Sequence, residues 1–572
     1  MARERALPAI VTQAAVRRLP RWALLGLCAA YLLAGFIGRD PWKSTDVTSL
    51  GFMLELAGSA PWNSTSWLHP RLLGAAPEVD ALLPYWLGAW AIAYLPLDPA
   101  LATRLPFMGL LAAAMAATWY AVYHLAATAG AQPVSFAFGG EAQPTDYARA
   151  VADGALLAFL ASLGLAQLGH EATPALAQLG FTAILLLGVA RARTRGGITW
   201  LFIVTGLLGL TLSGAPAMAV ILAVGSAALL GRGASNGEED PPPRRSIAVG
   251  LLVLGLGMAV LAFTLGLWQW RLRWPEPTWI AWRNIARLLL WFTWPTWLLA
   301  LWALWRWRLQ LREPSRYPHL SVPLGFASVG VATAIVTPAG DRSLLLALPA
   351  LAALAAFALP TLRRSVSALI DWFTLLFFTA GALVIWVVWV AMQTGVPPQP
   401  AANVARLAPD FAPSFSAGTT ALALLASAGW LWLIAWRVGR HRAAIWKSLV
   451  LPAGGAALCW LLLMTLWLPL LDHARSYGPL VQRVVGVVGQ PACVEVAELT
   501  LAQTAALRYH GKLNLQTAAD GVRCPWLIVD GEPEQPPHTD EAGWTWVRSA
   551  VIRRPTDNNE YLTVFRRVPA NP

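Results

Sequence analysis

The feature that most constrains this chain is a succession of apolar runs, each long enough, or nearly so, to cross ~30 Å of hydrocarbon. They occupy about 22–38, 82–96, 101–127, 153–168, 174–190, 198–213, 215–231, 246–268, 286–307, 321–338, 343–360, 366–392, 417–437 and 447–471. In lipid every backbone N–H and C=O must be satisfied inside the chain, so open-ended runs of this kind are expected to be helices. Composition agrees. Of the 572 residues 57% are apolar and 13% charged, where soluble domains are about a quarter charged, and the mean hydropathy is +0.53. Many of the 31 Trp stand where runs meet polar loops (Trp268, Trp270, Trp274, Trp279, Trp291, Trp305, Trp307), as amphipathic rings do at lipid headgroups. The net charge of +12 resides in short arginine clusters between runs. There is no basic face or stacking platform, which argues against a nucleic-acid partner.

Those clusters set the expected orientation. Arg3, Arg5, Arg17, Arg18 and Arg21 precede the first run, and no small-residue cleavage site follows it. It therefore reads as a retained anchor behind a cytoplasmic basic N-terminus, 1–21. Further clusters are Arg191, Arg193 and Arg195; Arg232, Arg244 and Arg245; Arg306, Arg308, Arg312 and Arg316; Arg363 and Arg364; and Arg437, Arg440, Arg442 and Lys447. Placing them in the cytoplasm puts 268–285, 339–342, 393–416 and everything after 472 outside. The membrane domain, 22–472, is expected to hold about 13 spans with a long first outer loop at 39–81. Between that loop and Arg191 an odd number of crossings is required, yet four runs are present. The pair 153–168 and 174–190, joined by Gly169-His170-Glu171, is the place where one is expected not to cross.

After residue 472 the composition changes. Trp526-Leu527-Ile528-Val529 and Tyr561-Leu562-Thr563-Val564-Phe565 read as strands and Leu499 to Tyr509 as a helix, giving a compact α/β domain over 473–572. It holds Cys493 and Cys524, which in an oxidising compartment are candidates for a disulfide, the alternative being two free thiols. Cys28 and Cys459 lie inside apolar runs and read as small hydrophobes.

Ionisable residues in or beside a span are costly and mark function. Four stretches qualify: Gly38-Arg39-Asp40-Pro41-Trp42-Lys43-Ser44-Thr45-Asp46 after the first run, Ala152-Asp153-Gly154 opening a later one, His170-Glu171, and Gly340-Asp341-Arg342 ahead of Leu348-Pro349. Each has a plainer reading. Asp40, Asp46 and Asp153 can cap helices, His170-Glu171 lacks the second His of a zincin and can be a solvated loop, and Arg342 can snorkel to a headgroup.

Together, the order of these features resembles the GT-C membrane glycosyltransferases, in the branch of the aminoarabinose transferases (ArnT-like) and protein O-mannosyltransferases (PMT-like). The matching features are an acid just past the first span, a long outer loop, entry to the second span through Pro84-Tyr85-Trp86-Leu87, an Asp opening a later helix, and Arg342 seven positions before Pro349. Leu468-Pro469-Leu470-Leu471-Asp472-His473-Ala474-Arg475-Ser476-Tyr477 is similar to that branch's passage into its periplasmic domain. The resemblance implies an all-α polytopic GT-C-like membrane domain followed by a small α/β periplasmic domain, in a bacterial inner membrane. It implies transfer of a sugar from a polyprenyl-phosphate donor to a lipid, glycan or protein acceptor at the outer face. Asp46, Asp40 and Asp153 would then supply the acid–base carboxylates. Arg342, with Lys43 and Arg39, would meet the lipid phosphate, and His170, Glu171 and Asp341 would support them. Asp46, Asp153 and Arg342 are expected to converge at the outer surface.

The chain departs from the family pattern at several points. Val47 follows Asp46, Leu82-Leu83-Pro84 stands for Pro-Pro-Leu, Ser213-Gly214-Ala215-Pro216 replaces a Lys-Gly-Pro turn, and Leu346 occupies an expected Tyr position. No metal-ligand spacing is present, and lone carboxylates do not distinguish Mg²⁺, Mn²⁺ and no metal at all. Two other classes compete. A transporter or flippase for a lipid-linked saccharide would place charges near the midplane and show paired repeats, whereas these acids cluster at span ends and the halves do not repeat. An envelope-assembly scaffold has no positive feature behind it.

Overall fold

The structure, a computed structural model, describes residues 9–59, 65–192, 196–231, 242–269, 272–337, 340–438, 444–517, 524–533, 544–557 and 559–569. Arg3, Arg5, Trp62, Arg193, Arg195, Arg232, Trp270, Arg440 and Arg442 lie outside the described residues, as does the side chain of Arg244. The chain forms two compact units. The first comprises Met1–Phe36, Pro106–Leu383 and Ala421–Leu462; the second comprises Ile37–Leu105, Val384–Thr420 and Leu463–Pro572.

The apolar runs are helices. Among the described residues seven are long and apolar enough to cross a membrane, or eight if the bent pair Trp279–Phe292 and Thr296–Arg306 is one span. The sequence reads this pair as a single run, 286–307. It breaks at Trp294-Pro295 with an 89° bend, where proline withholds a helical N–H. Arg21–Leu33, Pro174–Ala190, Gly197–Leu212 and Pro216–Gly231 are apolar but shorter.

The long apolar helices differ in how much of them protein covers. In Gly340–Thr361 and Ile445–Leu466, 94% and 89% of the apolar window is buried within the protein. In Arg364–Thr394 and Ala417–Arg437 the share is 22% and 11%. Small residues let backbones approach where no hydrophobic force distinguishes protein from lipid. The Pro174–Ala190 and Gly197–Leu212 helices pack so closely that a Cβ on Gly206 would lie 2.8 Å from the Leu185 backbone.

The second unit is built on a five-stranded sheet of order β2-β1-β3-β5-β4. Its strands are β1 (Val494–Ala497), β2 (Leu515–Thr517), β3 (Trp526–Asp530), β4 (Trp544–Arg553) and β5 (Tyr561–Pro569). β1 runs parallel to β2 and β3, and the β3–β5 and β5–β4 pairs are antiparallel. Leu527, Val529, Trp546 and Phe565 form its core. Cys493 and Cys524, just ahead of β1 and β3, are joined by a disulfide. The Leu501–Gly511 helix opens with a capping box: Thr500 accepts from the Gln503 backbone, and the Gln503 side chain accepts from Thr500 N. The loop 39–81 is itself folded where it is described. Its helix, Thr45–Gly58, lies against Leu501–Gly511 so tightly that a Cβ on Gly51 would sit 2.6 Å from that of Ala505. Arg508 and Glu55 pair across the same contact.

Candidate active site

In the second unit, the stretch that follows the first helix condenses around Asp46. At the start of the Thr45–Gly58 helix its carboxylate complements the helix dipole. Asp46 Oδ2 accepts from Arg39 at 3.0 Å and from the Trp42 backbone N–H at 3.2 Å, with Arg104 4.0 Å away. All three side chains are at most 4% exposed. Arg104 also donates to the Arg39 carbonyl. The guanidiniums of Arg39 and Arg475 lie over the Trp42 indole, 4.5 and 5.2 Å from its centroid, a cation–π arrangement. The Trp42 N–H donates to Asp472 at 2.7 Å, and Asp472 also accepts from Asp40 N at 3.2 Å.

Burial pushes the Asp472 carboxyl up to about 6, against the pull of the Trp42 hydrogen bond. His510, half-buried near Asp40, is pushed down by desolvation, with the charges of Asp40 and Asp98 opposing. Asp40 is the more exposed of the two loop acids. Lys43 lies between Asp557 and Glu560, at 3.0 and 2.9 Å. Its hydrogen bond holds Asp557 below the usual range. Burial works against the Glu560 charge, yet bonds from Tyr477, Arg554 and Lys43 hold that carboxyl low too. Lys43, expected as a phosphate ligand, is thus engaged by two acidic partners of the tail domain.

In the first unit a second carboxylate–arginine pair forms. Glu171, 1% exposed, accepts from Arg342 at 3.3 Å and from Gln167 at 3.2 Å. Arg342 is 23% exposed, and Asp341 lies 3.8 Å from it on the other side. His170 is fully buried. Its ring nitrogens meet the carbonyls of Ala166 and Tyr31, and its ring packs among Tyr31, Phe36 and Trp460 at 4.9–5.3 Å. His170 thus pins the turn that presents Glu171. Neither residue is a solvated loop.

Asp153 does not join this pair. Its helix starts at Pro144, nine residues before the apolar run suggests, because its first turns carry the Asp146–Arg149 pair and read as loop. Asp153 is therefore mid-helix, buried, and accepts from the Trp119 indole at 2.8 Å. The neighbouring Gly154 packs on Leu359, some 17 residues along the Gly340–Thr361 helix from Arg342, or ~25 Å at 1.5 Å per residue. The charges acting on Asp153 are those of Arg149 and Arg21, whereas His170 meets Tyr31 and Phe36 at the other end of the first helix. The expected convergence of Asp153 with Arg342 is thus overturned.

Sequence reasoning missed Arg104, Asp472 and Arg475. Arg104 carried a usable signal, a cation inside the apolar run 101–127. Asp472 lay within the quoted passage into the tail but was read as connection. Among the described residues no group of three or more His, Cys, Asp and Glu side chains is placed to hold a metal ion.

A polytopic helical unit with a loop helix folded onto a small C-terminal α/β sheet defines the class: the resemblance read from the sequence holds at the level of fold. Among the solved structures that share it are two of ArnT from Cupriavidus metallidurans. The apo crystal structure matches with TM-score 0.59 at 12% identity, over 95% of this chain and 97% of that one. The structure bound to undecaprenyl phosphate matches with TM-score 0.60 at 13% identity, over 95% and 98%. No protein-family model and no curated protein sequence matches the chain.

Proposed function

We propose that the chain is an integral membrane glycosyltransferase that moves a sugar from a polyprenyl-phosphate carrier to an acceptor on a lipid, glycan or protein. The observation that carries this reading is the likeness in fold to ArnT over nearly the whole of both chains, one of those structures holding undecaprenyl phosphate. On this reading Asp46 takes the acceptor's proton, a role that needs a fixed carboxylate, and Arg39 and Arg104 fix it. Arg342 meets the departing lipid phosphate, where a cation held in place before the bond breaks is most effective. Glu171 orients Arg342, and His170 holds Glu171. Asp153 and Lys43 leave the reacting set; Asp40, beside Asp472 and His510, remains as a supporting acid. The charge alternation of the loops puts the N-terminus in the cytoplasm and this chemistry at the outer face of the inner membrane.

The test is release of free carrier. Purified protein in liposomes is given undecaprenyl phosphate bearing an isotope-labelled pentose or hexose, with an envelope extract as acceptor. Wild type should release undecaprenyl phosphate, Arg342→Ala should lower release ~10-fold or more at limiting donor, and Arg342→Lys should restore part of it. No release from any donor, or undiminished release by Arg342→Ala, overturns the assignment. For orientation, alkaline phosphatase fused to the C-terminus should be active and green fluorescent protein dark. The reverse would put the acids on the wrong side.

A further inference from the structure

The Arg21–Leu33 helix is pinned to the Ile445–Leu466 helix at both ends. Trp446 donates to the Arg17 carbonyl at 2.8 Å, and Trp460 to the Ala34 carbonyl at 2.7 Å. Between these pins the helices do not close on each other. A cavity of about 730 Å³ remains, walled by both and by the Ala417–Val438 helix. The walls are concave because they carry small residues: a Cβ on Gly26 or Gly429 would meet nothing within 4 Å. The lining is apolar except at one end, where Arg17 and Arg18 are the only charged residues among the described ones. Trp22, Leu25 and Trp432 around it are exposed, and the Ala417–Arg437 helix has only 11% of its apolar window covered by protein, so the cavity opens sideways into the bilayer. An apolar volume of this size is a poor home for water, which needs polar partners.

We propose that this cavity is a binding site for an anionic diacyl glycerophospholipid, with one acyl chain between the helices and the headgroup phosphate at Arg17 and Arg18. Charge supports that occupant. Arg18 is 76% exposed and only 3.8 Å from Asp146, but Asp146 already accepts from Arg149 and Gln13 at 2.8 Å each. Arg437, next to the lining residue Trp436, is taken by Asp371. Among the described residues the two exposed arginines therefore supply the net charge at this mouth, and the positive end of the Arg21–Leu33 helix dipole adds to it. No buried donor waits there for a doubly charged phosphate monoester. A mouth of exposed arginines suits a lipid present in bulk, each arginine near an anionic headgroup strengthening binding ~5-fold. This site is independent of the proposed transfer reaction and lies at the Arg21 end of the first helix, away from His170 and Glu171 in the same unit.

The experiment is native mass spectrometry of delipidated protein offered palmitoyl-oleoyl phosphatidylglycerol, phosphatidylcholine or undecaprenyl phosphate at equal concentration. Wild type should retain one phosphatidylglycerol at collision energies that strip phosphatidylcholine. Arg17→Gln/Arg18→Gln should cut that preference ~10-fold or more, while Gly26→Leu/Gly429→Leu, which fills the cavity, should lose both diacyl lipids. Unfolding temperature in detergent confirms that each variant is folded. A cavity-filled variant that folds and still retains phosphatidylglycerol overturns the site. Equal retention of the two diacyl lipids by wild type overturns the role of the arginines, and stronger retention of undecaprenyl phosphate overturns the occupant.

Discussion

The protein contains two carboxylate–arginine pairs that sequence alone would rank together, and they are built differently. Arg39–Asp46 in the second unit is dry on both sides, with the carboxylate also held by a backbone N–H and a second arginine within 4.0 Å. Arg342–Glu171 in the first unit buries only the acid; the cation is 23% exposed, and a second acid lies 3.8 Å away. A dry pair fixes a charge in position, because removing either partner strands the other away from water. A half-open pair leaves its cation able to take a new anion without that penalty.

Four substitutions break or sharpen this contrast. Asp46→Asn should have the largest effect: transfer falls ~100-fold or more, and because two arginines stay buried without their anion the fold loses about 3–5 kcal/mol. Both are measurable, the second as a lower unfolding temperature in detergent. Wild-type stability in this variant would mean that the pair is not the anchor described here. Asp472→Asn probes the same dry network by pH. The folded carboxyl sits at about 6 against an ordinary 3.8, so the folded state holds the proton more tightly than the unfolded one. The stability this group contributes is present below pH ~4 and lost as pH rises through 6. Asparagine should therefore stabilise the protein at pH 7.5 by on the order of 2 kcal/mol and change little near pH 4, as followed by thermal unfolding at the two pH values. Glu171→Gln should leave stability within about 1 kcal/mol but raise the half-saturating donor concentration ~10-fold, since Arg342 loses its orienting charge; a loss of kcat alone would contradict that role. Lys43→Ala should matter least. Its two ion pairs are partly exposed, and pairs of that kind contribute about 0–1 kcal/mol, so transfer and unfolding temperature should stay close to wild type.

Much of the helical architecture could be read from the apolar runs, because lipid forbids unpaired backbone and so ties composition to conformation. That logic fails where a helix begins in polar residues. Asp146 and Arg149 disguised the first turns of Pro144–Ala161, and Asp153 looked like a residue opening a helix when it lies in its middle. The site was half visible. Glu171 and Asp46 stood out as acids beside spans, but Arg104 and Asp472 become partners only through tertiary folding, 58 and 426 positions from Asp46 in sequence. Lys43 shows the converse: the neighbours of a cation beside a span end, here Asp557 and Glu560, are set only by the tertiary fold.

The packing of the first loop on the tail, through Gly51 against Ala505 and Lys43 against Glu560, has a consequence for biogenesis. Lys43 and Glu560 are 517 positions apart, and at about 5–20 residues per second a ribosome needs ~25–100 s to make the chain between them. For most of that interval the loop helix has been made while the Leu501–Gly511 helix on one side of it has not. A nascent chain arrested before residue 501 would leave Gly51 and Glu55 without Ala505 and Arg508 against them, and the loop helix would rest on the Leu83–Tyr94 helix alone.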